Sequence, residues 1–97
     1  MALFTFVLDY RGGTYVSQVQ AGDPKAALRE WIDVVELDAI HGLTSKSRDV
    51  FRAAFADERI VPLDGVTNVW CVGDLVRGKG ALVNIIETRP TTRTEKR

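Results

Sequence analysis

The chain has 97 residues, 45% of them hydrophobic, with two tryptophans and a single cysteine. That length suits one domain with its own core, the composition excludes a disordered chain, and lone Cys71 excludes an internal disulfide. Formal charge is zero but unevenly spread, and the net-negative body of residues 1–88 has no electrostatic draw toward nucleic acid on its own.

The opening stretch, MALFTFVLDY, has no positive n-region, and its apolar run breaks at Asp9. It predicts neither a signal peptide nor a membrane span, and with the one cysteine it points to a reducing, cytoplasmic setting. Within it Phe4, Phe6, Leu8 and Tyr10 alternate with Thr5, Val7 and Asp9, the period of a half-buried strand. Gly12-Gly13 supplies two residues free to take positive φ, as a primed hairpin turn requires. A turn centred there pairs Tyr10 with Tyr15, Leu8 with Ser17, Phe6 with Val19 and Phe4 with Ala21, all apolar residues sharing one face.

Gly22 then ends the second strand, Asp23 is a preferred N-cap, and Pro24 suits the first helical position because its missing N–H has no partner to lose. Leu28, Trp31, Ile32 and Val35 follow at i, i+3, i+4, i+7, one apolar stripe directed at the strand face that carries Phe6 and Val19. The helix has two plausible ends, near Glu36 or at Gly42. A second helix fits SKSRDVFRAAFADE, capped by Ser45 or Ser47, with Val50, Phe51, Ala54 and Phe55 as its stripe.

Pro62 confines Ile60–Leu63 to an edge strand or an extended connection, and Asp64-Gly65 signals a turn. Two β-rich runs, 66–76 and 81–88, flank RGKG and predict a second hairpin. Both are apolar in succession (Val69 to Val72; Leu82, Val83, Ile85, Ile86), the composition of strands buried on two faces in mid-sheet or at an interface. The expected architecture is α+β: a four-stranded antiparallel sheet from two hairpins, a fifth strand available at Ile60–Leu63, order β-β-α-α-β-β, helices on one face. That domain spans residues 1–88. Residues 89–97, RPTTRTEKR, set four basic side chains against Glu95, a net of +3 that leaves −3 on the other 88; a disordered, solvated tail is expected.

Chemistry-bearing patterns are sparse. RGKG resembles a phosphate loop in composition, but no helix follows to aim N–H groups at an anion, so a hairpin turn accounts for it. Cys71 lies between Trp70 and Val72, as a small buried residue does, and the only histidine, His41, belongs to another element. Glu30, Asp33, Glu36, Asp38 and His41 form an acidic run whose spacings can gather ligands for a hard cation. A solvated helical face has the same pattern, with Arg29 and Asp33 at i,i+4. No catalytic, cofactor or metal set is therefore assigned.

The stretch FTFVLDYRGGTYVSQVQAGDPKAALREWI resembles the N-terminal module of HicB-type antitoxins, through Phe6, Tyr10, Gly12, Gly13, Tyr15, Val16, Ser17, Ala26, Ala27 and Leu28. The likeness spans 29 of 97 residues; the family's proline-glycine step after the second strand and its C-terminal DNA-binding segment are not matched. It implies a module that grips a small protein partner. The expected function is accordingly a non-enzymatic protein-binding module of antitoxin, immunity or accessory-subunit type, pairing with itself or another protein. Its surface candidates are Tyr10, Tyr15, Trp70, Val72, Val83 and Ile85. The alternative is a small enzyme or ligand-binding protein with a pocket between sheet and helices, holding His41, Cys71 or Asp74. Exposed apolar strand residues would distinguish the first, polar groups converging on a cavity the second.

Overall fold

Alternating apolar and polar residues form the first strand, β1 (Ala2–Tyr10), and after a two-residue turn its antiparallel neighbour, β2 (Gly13–Ala21). The structure is a computed structural model and describes residues 1–57 and 59–89. Helix α1 (Pro24–Val34) follows, then α2 (Arg48–Ala54), entered through a 3₁₀ turn at Ser45–Ser47. The two-residue strand β3 (Val61–Pro62) precedes a second hairpin of β4 (Val69–Val76) and β5 (Lys79–Thr88). All pairings are antiparallel, and the order across the sheet is β2-β1-β5-β4-β3. Of the basic tail expected at 89–97, all but Arg89 lies outside the described residues.

The fold is therefore α+β, with five strands and two α-helices among the described residues. Pro62 sits at the sheet margin, where its missing N–H costs no ladder bond. The apolar run of β5 occupies mid-sheet, between β1 and β4. Its pairing with β1, from Leu3–Thr88 to Tyr10–Ala81, welds the two hairpins into one sheet. No local pattern signals that pairing, because the two strands lie at opposite ends of the chain.

The first hairpin turns one residue earlier than expected. Tyr10 pairs with Gly13, and the turn residues are Arg11 (φ 50°) and Gly12 (φ 83°), a primed pair. Leu8 consequently faces Tyr15, Phe6 faces Ser17 and Phe4 faces Val19. The difference is two positions along the partner strand, so every side chain keeps its face. Gly13 serves the strand instead: a Cβ there would stand 2.5 Å from the Tyr15 hydroxyl, whose ring lies across it. The second hairpin repeats the device with Arg77 (φ 53°) and Gly78 (φ 78°).

Both helices cover one face. Asp23 caps α1 as expected, its Oδ1 accepting the Ala26 N–H at 2.8 Å with Pro24 in the first turn. Leu28, Trp31, Ile32 and Val35 are all buried. The Trp31 ring stacks on Phe6 (centroids 4.9 Å apart, planes 7° apart) and meets Phe51 and Phe55 at 5.3 and 6.3 Å. Its Nε1 donates to Ser17 Oγ at 2.8 Å. The observed register explains this contact: a small hydroxyl opposite Phe6 leaves room for the indole and satisfies its N–H.

Helix α1 takes the earlier of its two ends, capped at Val35. Its last turn has no basic residue of its own, and Arg48 supplies one from α2, donating to the carbonyls of Ile32 and Val35 at 2.9 and 2.8 Å. Thr44 caps the 3₁₀ turn in a capping box with Ser47; Ser47, one of the two expected caps, is the N-cap residue of α2, its hydroxyl accepting the Thr44 N–H instead of one from the helix. Two members of the expected stripe, Phe51 and Phe55, are buried; Val50 is exposed, because α2 is only seven residues long and buries a narrow edge.

Candidate protein interface

The sheet has two unlike faces. The inner one, under the helices, carries Phe4, Phe6, Leu8 and Tyr10 of β1, with Val72 and Val76 of β4 and Ala81, Val83 and Ile85 of β5, all buried. The outer one has no layer on it among the described residues. Across it run Leu3, Thr5, Val7 and Asp9 of β1, and Thr14, Val16, Gln18 and Gln20 of β2. Leu82, Asn84, Ile86 and Thr88 of β5 and Val69, Cys71, Gly73 and Leu75 of β4 complete it.

Of these sixteen positions only Asp9 is charged, whereas a chain that is 27% charged would place about four there. The outer face is polar toward β2, where Gln18 Nε2 donates to Thr5 Oγ1 (2.9 Å), Thr5 meets Thr88 (2.6 Å) and Thr14 donates to Asp9 (2.7 Å). Toward β4 it is apolar: Leu75 is 62% exposed and Leu82 46%, with Val69, Cys71 and Ile86 half-buried and exposed Val61 of β3 beside them.

Three of the residues expected on the surface of the second hairpin turn inward. Val72, Val83 and Ile85 lie beneath the helices and are corrected from surface to core. The phase of an all-apolar run is fixed only by its neighbours: Ile85 faces Phe6 and Val83 faces Leu8 across β1. Tyr10 is likewise core, 2% exposed, its hydroxyl donating to the Val76 carbonyl at 2.8 Å. Tyr15, half-buried, accepts the His41 backbone N–H at 2.9 Å. The two tyrosines therefore lie diagonally on the inner face and tie the first hairpin to the rest of the fold. Trp70 is half-buried, 6.3 Å from Phe4, in a groove of about 360 Å³ lined also by Pro24, Lys25, Ile60 and Pro62.

The groups considered for chemistry are not brought together. Cys71 is on the outer face opposite Asn84, while the backbone of His41 is bonded to Tyr15 on the inner side. Asp74 accepts the N–H of its own neighbour, Leu75. In the acidic run Asp38 accepts from Ser45 N and Asp33 from Arg52, at 2.8 and 2.9 Å. The Asp33 hydrogen bond, then the charges of Asp33 and Asp49, raise the Arg52 pKa above its ordinary value. Among the described residues no three His, Cys, Asp or Glu side chains converge as a metal site would require, and no buried side-chain nitrogen or oxygen lacks a partner. The space between sheet and helices is filled by Trp31, Phe6, Phe51 and Phe55. A larger depression, about 690 Å³ and open to solvent, lies outside that layer between the hairpin ends, bounded by Asp9, Arg11, Asp74 and Leu82. No helix among the described residues is long and apolar enough to cross a membrane.

Comparison with protein-family models, curated proteins and solved structures finds no match for this chain.

Proposed function

We propose that the chain is a small non-enzymatic protein-binding module, of antitoxin, immunity or accessory-subunit type, whose outer sheet face receives the partner. One observation carries this reading: a face that is uncovered, apolar on its β4–β5 side and almost without charge. Exposed surfaces of single proteins seldom present a contiguous area of that kind, and depletion of charge is what distinguishes the centre of protein interfaces. Burial of apolar area releases about 25 cal/mol per Å², so such a face drives association. The likeness of residues 4–32 to an antitoxin module points the same way.

The reading is tested by capturing partners from the native host with tagged wild-type protein and with Leu82→Lys. A protein retained by the first and lost with the second, at unchanged melting temperature, supports it. Equal capture by both, or a small molecule co-purifying in the cleft between the hairpin ends, would overturn it.

A further inference from the structure

The margin of β2, which has no strand beside it among the described residues, is a surface separate from the outer face. We propose that β2 pairs antiparallel with β2 of a second copy about a two-fold axis, joining two five-stranded sheets into one.

Among the described residues the edge is open over its nine positions. Because the turn has two residues, Tyr10 and Gly13 form a hydrogen-bonded pair, and the ladder alternates from there. The main-chain groups of Gly13, Tyr15, Ser17, Val19 and Ala21 face β1. Those of Thr14, Val16, Gln18 and Gln20 face outward. They form a straight row, since the β1–β2 register runs unbroken from Ala2–Ala21 to Tyr10–Gly13.

Sheets protect such margins with proline, charge, bulges or brevity. The opposite margin does so: β3 has two residues, and one is Pro62. β2, GTYVSQVQA, has none of these features.

A second observation lies above the edge. The Asp33–Arg52 bond, 2.9 Å, marks the flank of α1 that faces α2. At 100° per residue Val34 lies on the flank of α1 away from α2, and α1 packs on β2. Val34 is apolar and 53% exposed. Trp31, one turn earlier on the same helix, is bonded to Ser17 at the middle of β2.

The occupant that fits is another copy. With the axis at Ser17, Val16 meets Gln18 and Thr14 meets Gln20, twice over. Every outward N–H then finds a carbonyl, about eight bonds in all. The strand bears no charge, so self-pairing brings no like charges together. It is also already ordered in both copies, whereas an unfolded peptide would lose conformational freedom on docking. The two outer faces become continuous, which leaves the partner-binding face free.

Sedimentation of the full chain from micromolar to millimolar concentration, combined with residue-resolved amide exchange, tests the pairing. Expected are a reversible monomer–dimer equilibrium and slowed exchange at Thr14, Val16, Gln18 and Gln20 as the dimer forms. Gln18→Pro removes one outward N–H, keeps the main-chain ladder to β1 and loses only the exposed side-chain bond to Thr5, and should weaken the dimer at least about tenfold. Leu82→Lys, on the outer face, should leave it unchanged, which separates this inference from the proposed function. A monomer at every concentration, fast exchange at those four amides in a dimer, or a dimer lost with Leu82→Lys and kept with Gln18→Pro would each overturn it. If Gln18→Pro does not fold, the wild-type exchange pattern decides.

Discussion

Gly12 and Gly13 are adjacent and chemically identical, yet their replacement should fail for different reasons. Gly12 sits at φ 83° with nothing near its missing Cβ. Gly12→Val should therefore cost about 1–2 kcal/mol or more through backbone strain alone, seen as a lower urea midpoint at unchanged slope. Gly13 has ordinary backbone geometry and no room under Tyr15. Its substitution would move a ring whose hydroxyl holds the His41 N–H. The sequence announces both glycines but not their roles, since either could supply positive φ; the ring that selects between them is placed by the fold. Trp31 was fully readable, because its helical stripe and its burial agree. Trp31→Ala should cost roughly 3–5 kcal/mol, as large buried aromatics do, with denaturation as the measurement. A loss under about 1 kcal/mol would contradict its place in the Phe6–Phe51–Phe55 stack.

At the scale of elements, signals written in consecutive residues were the readable ones. Asp23-Pro24 starts α1 as expected, and glycine pointed to both hairpin turns, although the first closes on Arg11-Gly12, one residue before the expected Gly12-Gly13. The end of α1 was not readable, because its last carbonyls are satisfied from another helix. Arg48→Met keeps much of the aliphatic stem and removes both hydrogen bonds to Ile32 and Val35. The expected cost is about 1–3 kcal/mol, that of leaving partly buried carbonyls unsatisfied. Faster amide exchange confined to the last turn of α1 would locate the effect; a loss spread evenly over the molecule would not fit.

For the molecule as a whole, the sequence disclosed that the second hairpin has too much apolar surface for two helices to cover. It did not disclose which residues remain outside, since Leu82 and Val83 are equally apolar. Their neighbours in the sheet decide: Val83 lies against Leu8 under the helices, and Leu82 faces Asp9 on the open side. Val83→Lys should therefore prevent stable folding by burying an unpaired cation. Leu82→Lys should change stability by no more than about 0.5 kcal/mol. Circular dichroism melts of the two variants suffice; similar melts would mean that the β5 phase is wrong.

The bond between β1 and β5 has a consequence for how the chain reaches this state. During synthesis β1 emerges before β5, and its second hydrogen-bonding edge stays vacant until residues 79–88 appear. A contact between residues so far apart in sequence closes a long loop and slows folding. Leu3 and Thr88 are register partners, so the start of β1 lies beside the end of β5. A circular permutant that links Thr88 to Ala2 by a short turn and opens at Asp64-Gly65, in the exposed stretch before β4, converts this late pairing into a local hairpin. Stopped-flow refolding should be faster in the permutant than in the natural order of the chain. Equal rates would show that β1 and β5 meet only after the slow step has passed.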